Sequence, residues 1–140
     1  MVDNQLRKRG IIDTAVLDAM STIPRHRFVS RIYGPMAYTD NPLPIGYGQT
    51  ISQPYIVALM TQLLQIEKEH KVLEIGTGCG YQTAILSVLS KMVITLEVKG
   101  SLLKPSPHQT LRWKTISQPM QPEKEEAPIF DRNDPKHAQE

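Results

Sequence analysis

Cysteine is all but missing from this 140-residue chain, in which Cys79 stands alone. One thiol excludes an internal disulfide framework and suits a reducing cytoplasm, where the protein is expected. Long apolar runs are missing as well. No stretch approaches the ~18–20 residues that span a bilayer. The basic start, MVDNQLRKRG, has no apolar segment behind it to act as a signal peptide. No membrane partner is expected. A large excess of either charge is also lacking, since 16 Lys and Arg face 14 Asp and Glu for a net +2. Nucleic-acid binding calls for a clustered basic face, and this balance supplies none. No metal is expected, because no cysteine or second histidine has ligand spacing to His26. What remains is an ordinary globular composition, 40% hydrophobic and 21% charged, at a length that fits one domain. A monomer is expected.

Glycine is absent from residues 101–140, although the chain has eight, while six of its eleven prolines fall there. Proline fixes φ and removes a donor, so such a segment cannot hold long helices or central strands. Its charges cancel and its apolar residues show no period, which reads as a mostly unstructured tail.

Residues 1–100 are patterned. Asp13 is placed to cap a helix that buries Val16, Leu17 and Met20, and Pro24 stops it. From Arg31 to Gln53, three glycines and three prolines predict a long irregular connection. Ser52-Gln53-Pro54 opens a second helix with Ile56, Val57, Met60, Leu63 and Leu64 on its apolar side. Lys71–Ile75 reads as a strand, Gly76–Gly80 as a turn, Tyr81–Ser90 as a helix and Met92–Glu97 as a second strand. Strand, short turn, helix and strand make a right-handed βαβ unit with parallel strands.

The turn spells G-x-G-x-G, not the dinucleotide fingerprint G-x-G-x-x-G, because position 81 is Tyr. Nothing basic follows Gly80, so the phosphate-binding loop is excluded too. Glu74 just before the turn is unwelcome beside a pyrophosphate and helpful beside a cation. Glu97 lies 21 positions beyond Gly76, near the ~20-residue offset at which a carboxylate meets ribose hydroxyls. The ligand so described has a ribose, a positive charge and no phosphate, which S-adenosyl-L-methionine satisfies.

Val72-Leu-Glu-Ile-Gly-Thr-Gly-Cys-Gly-Tyr-Gln-Thr-Ala84 resembles the first cofactor motif of the protein-L-isoaspartate O-methyltransferases. Three upstream stretches resemble that family's N-terminal signature more specifically: Pro24-Arg-His-Arg-Phe-Val29, Ala37-Tyr-Thr-Asp-Asn41 and Leu43-Pro-Ile-Gly-Tyr-Gly-Gln-Thr-Ile-Ser-Gln-Pro-Tyr55. The resemblance covers roughly residues 5–100. It implies an α/β, Rossmann-like, S-adenosylmethionine-dependent methyltransferase fold behind an N-terminal helical and loop region. The fold would be incomplete, with 1–70 as the N-terminal part, 71–100 as the start of the methyltransferase domain and 101–140 as a tail outside the family.

The activity implied is methyl transfer to the α-carboxylate of isoaspartyl residues in damaged peptides and proteins, a repair reaction. On that resemblance Ser52 takes the catalytic role. Thr50, Ile51, Glu74, Gly76, Thr77, Gly78, Gly80 and Glu97 form the cofactor site. Ser52 also stands where a helix cap would stand. Only two strands of the family's sheet are visible, so a truncated, inactive remnant and a non-catalytic peptide-binding module remain as alternatives.

Overall fold

The carboxylate of Asp13 accepts the Val16 amide at 3.1 Å and starts helix α1 (Thr14–Thr22), as its position before an apolar run predicts. Val16, Leu17, Ala19 and Met20 point into the core, and Ile23 turns extended ahead of Pro24. A second side chain finishes this helix start from a distance. Gln62 Oε1 accepts the amides of Ile12 (2.7 Å) and Asp13 (2.9 Å), and its Nε2 donates to the Gly10 carbonyl. The computed structural model describes residues 1–99, Leu102 and the backbone of 113–116.

The connection from 31 to 53 is more regular than expected. A 3-10 helix occupies Arg31–Met36, and β1 (Leu43–Gly46) pairs antiparallel with β2 (Gln49–Ile51). Leu43 opposes Ile51, and both are buried in the core, which fixes the hairpin's register. Gly46, Tyr47 and Gly48 all take positive φ at its tip, so the glycines that predicted irregularity build a tight turn instead. Pro44 is tolerated because the two-stranded ribbon consists only of edges.

Helix α2 (Pro54–Leu63) begins on its proline as expected, but a different face is buried. Pro54, Val57, Ala58 and Thr61 face inward, whereas Ile56, Met60, Leu63 and Leu64 are exposed. The helix is apolar nearly all round, so periodicity could not choose its face. Small Ala58 and hydrogen-bonded Thr61 allow the close approach to the core.

The βαβ unit forms as predicted, with β3 (Lys71–Ile75) and β4 (Met92–Leu96) parallel in register Lys71↔Met92 to Ile75↔Leu96. Helix α3 (Tyr81–Leu89) connects them and packs on α1. A third parallel strand, β5 (Trp113–Ile116), lies against β4, giving the order β3-β4-β5. This corrects the two-strand expectation. Trp-Lys-Thr-Ile is an aromatic and β-branched run between prolines, and an edge position asks only for such a short segment. Apart from Leu102, which is buried, the remainder of the predicted unstructured tail lies outside the described residues. One face of the sheet carries Glu74, Val93 and Thr95, all buried. The other leaves Leu73 62% and Ile75 71% exposed.

Candidate functional site

The turn after β3 is shaped by backbone that side chains rarely tolerate. Gly76, Gly78 and Gly80 have φ of 91°, 54° and 83°. The Gly76 and Thr77 amides donate to the Leu96 carbonyl at 2.8 and 3.1 Å, seating the turn on the end of β4. Thr77 and Thr95 hydroxyls meet at 2.6 Å beneath it. Gly80 caps α3 without a side-chain acceptor.

Two carboxylates flank this turn. Glu97 takes the Gly78 amide on Oε2 and the Lys99 amide on Oε1, both at 2.8 Å. Each oxygen keeps a further lone pair for a hydroxyl donor. Glu74 is 8% exposed. Its Oε2 accepts the Thr83 hydroxyl, and its Oε1 has no partner. Burial pushes the Glu74 carboxyl above its ordinary range, the hydrogen bond from Thr83 opposes this, and the nearby charge of Glu97 adds to it.

The N-terminal hairpin meets the turn from above. Ile45 comes within 3.4 Å of where a Cβ on Gly78 would lie, and Lys99 Nζ donates to the Tyr47 carbonyl at 2.7 Å. Between hairpin, α2 and turn lies a cavity of about 230 Å³. Thr50, Ile51, Ser52, Glu74, Gly76, Thr77 and Gly78 all line it, so seven of the residues picked out by sequence share one space. Gly80 shapes the turn without lining the cavity, and Glu97 reaches it through the Gly78 amide.

Ser52 is not a helix cap. Gln53 holds that position without a side-chain bond, and the first free amide of α2, at Tyr55, is taken by Asp40 Oδ1 at 2.8 Å. Ser52 instead lines the cavity.

Sequence reasoning missed Val57, Met60, Tyr81 and Gln82 in the lining. It also missed Arg25, whose side chain is 0% exposed. Arg25 Nε donates to the Ala37 carbonyl at 2.8 Å and its guanidinium lies 4.9 Å from the Tyr81 ring centre. Burial lowers the Arg25 pKa and lifts the Tyr81 phenol to about 12. The Pro24–Val29 signature was the available signal. Burial also pushes the Cys79 thiol up, which disfavours the thiolate a nucleophile needs. Among the described residues no cluster of three His, Cys, Asp or Glu side chains is placed to hold a metal ion.

A glycine turn between a parallel strand and its crossover helix, with an acidic residue at the end of each of two neighbouring strands, is the arrangement of a Rossmann-like methyltransferase fold. The comparisons with known proteins give the family. A profile of the protein-L-isoaspartate(D-aspartate) O-methyltransferases matches residues 1–118, and the chain belongs to that family. It is 58% identical over 102 residues to the protein-L-isoaspartate O-methyltransferase of Syntrophus aciditrophicus, covering 73% of this chain and 47% of that protein. It is 60% identical over 102 residues to protein-L-isoaspartate O-methyltransferase 2 of Shewanella sediminis, covering 73% and 42%. Among solved structures, a Plasmodium falciparum beta-aspartate methyltransferase in complex with S-adenosyl-L-homocysteine superposes with TM-score 0.62 at 28% identity, covering 79% of this chain and 58% of that one. The chain spans about half the length of the curated relatives it matches. The profile match reaches beyond residue 100 and takes in β5.

Proposed function

We propose that this chain binds S-adenosyl-L-methionine and takes part in methyl transfer to the α-carboxylate of L-isoaspartyl residues in damaged proteins. The observation that carries the reading is the cavity itself, where Thr50–Ser52 of the hairpin face Gly76–Gly78 of the turn. The residues present suit the cofactor. An unpartnered carboxylate oxygen on buried Glu74 is fitted to a neighbouring positive group, and the bare glycine backbone leaves room for close approach. When bound, the cofactor supplies a methyl group on a cationic sulfur.

The chain's own residues then have modest work to do. An isoaspartyl α-carboxylic acid has a pKa near ~4 and is ionised at neutral pH, so no strong base is needed. Alignment dominates, and a Ser52 hydroxyl donating to one carboxylate oxygen would fix the other toward the methyl group. Glu97, held by two backbone amides, keeps acceptor capacity for ribose hydroxyls. A cytoplasmic monomer acting on damaged peptides, without nucleic acid or membrane, belongs to the same proposal.

The test is transfer of labelled methyl from the cofactor to an isoaspartyl peptide, with the aspartyl isomer as control. Transfer to the isoaspartyl peptide alone is expected, with Ser52→Ala lowering kcat by about tenfold or more.

A further inference from the structure

Asp40 lies between the 3-10 helix and β1 and joins three separate stretches of chain. Its Oδ1 accepts the Tyr55 amide at 2.8 Å, and its Oδ2 pairs with Arg9 Nη1. Arg9 in turn lies over the Tyr55 ring, 3.5 Å from its centre. These contacts meet at the start of α2, which has special need of them. Gln53 gives no side-chain cap and Pro54 has no N–H, so Tyr55 presents the first orphan donor of the helix. A carboxylate there also suits the positive end of the helix dipole.

The consequence falls on Ser52. Ile51, on one side, is buried and paired with Leu43. Tyr55, on the other, is held by Asp40, with rigid Pro54 between. Ser52 is therefore suspended between two fixed points, one of which is Asp40. The same carboxylate's charge reaches buried Arg25, which packs on Tyr81 in the cavity wall.

We propose that Asp40 is a positioning residue, which sets the place of Ser52 in the cavity by anchoring the first turn of α2 to Arg9 and the N-terminal segment. The proposal rests on the functional reading above for its kinetic consequences but not for its structural ones.

The experiment compares the full chain with Asp40→Ala, Asp40→Asn and Arg9→Met, by amide exchange and by methyl transfer. Asp40→Ala should speed exchange at Tyr55 by about tenfold and carry the change to Thr50, Ile51 and Ser52. It should raise KM for the isoaspartyl peptide, or lower kcat, by about tenfold or more. Affinity for S-adenosyl-L-homocysteine should fall by less than the transfer parameters, because only Thr50 and Ile51 of its site lie on the loosened segment while the glycine turn is held by β4. Asp40→Asn keeps the Oδ1 acceptor and should recover most of both losses, with Arg9→Met milder than Asp40→Ala. Arg9→Met, which loosens the same anchor through Oδ2, stands in if Asp40→Ala fails to fold. Faster exchange confined to Tyr55, with Thr50–Ser52 unchanged, overturns the proposal whatever the transfer rate. If the unaltered chain neither transfers methyl nor binds peptide, the functional reading falls while the exchange pattern still decides the role of Asp40.

Discussion

Glu74 and Ile75 are neighbours in β3 and break the usual rule in opposite directions. The carboxylate is 8% exposed and the isoleucine 71%. Strand alternation sends Glu74 to the face shared with Val93 and Thr95, and Ile75 to the face shared with Leu73. The first face is roofed by α3, and the second leaves Leu73 and Ile75 exposed beside half-buried Ile94 and Leu96. Parallel sheets ordinarily have both faces covered. Within β3, burial follows the layer a residue faces, not its hydrophobicity.

The largest test of that contrast is Ile85→Ala in the roofing helix, at a fully buried position. It should cost about 2–5 kcal/mol of unfolding free energy in urea titration. The same measurement on Ile75→Ala should show less than about 0.5 kcal/mol. Equal losses would break the comparison.

Next in size is Gly78→Ala, in the turn that follows these two residues. Its φ of 54° is left-handed and its added Cβ would meet Ile45 at 3.4 Å. About 1–2 kcal/mol of strain is expected, read as a lower Tm and weaker nucleoside binding. Gly10, also at positive φ but with nothing within 4 Å, is the control that separates strain from contact.

Glu74→Gln sharpens the contrast through pH. Burial raises this carboxyl's pKa in the folded chain, so between its ordinary value and the raised one the native state holds more protons than the unfolded state. Stability should fall as pH climbs through that window, and the penalty is complete above it. Melting curves from about pH 4 to about pH 8 should show a shallower decline for Glu74→Gln. An identical slope in the two proteins would show that Glu74 carries no such charge cost.

The smallest effect belongs to the exposed face. Leu73→Thr with Ile75→Thr should leave stability within about 0.5 kcal/mol while lowering the fluorescence of a hydrophobic dye. Unchanged dye binding would place the exposed apolar surface elsewhere, on Ile56, Met60, Leu63 and Leu64 of α2.

Much of this was legible from residue order. Asp13, Pro24 and Pro54 mark helix ends by local chemistry, and the βαβ unit follows from one glycine turn between two apolar strands. The hairpin was not legible, because its glycines signal a turn only once Leu43 and Ile51 are known to share the core. The buried face of α2 was hidden by an excess of apolar residues, which leaves periodicity nothing to separate. β5 was obscured by the prolines around it. Of the seven cavity residues, Glu74, Gly76, Thr77 and Gly78 were legible at the glycine turn, whereas Thr50, Ile51 and Ser52 were legible only through the family resemblance. Arg25 and Asp40 escaped because their roles arise from contacts far along the chain, where spacing carries no information.

Gln62 bears on the order in which the protein takes shape. It sits near the end of α2, and its one side-chain oxygen accepts amides 50 and 49 residues earlier, at Ile12 and Asp13. A nascent chain leaving the ribosome N-terminus first would present the beginning of α1 long before its partner has been translated. Closure of that distant contact, with its loop-closing entropy, would then be a late event in maturation.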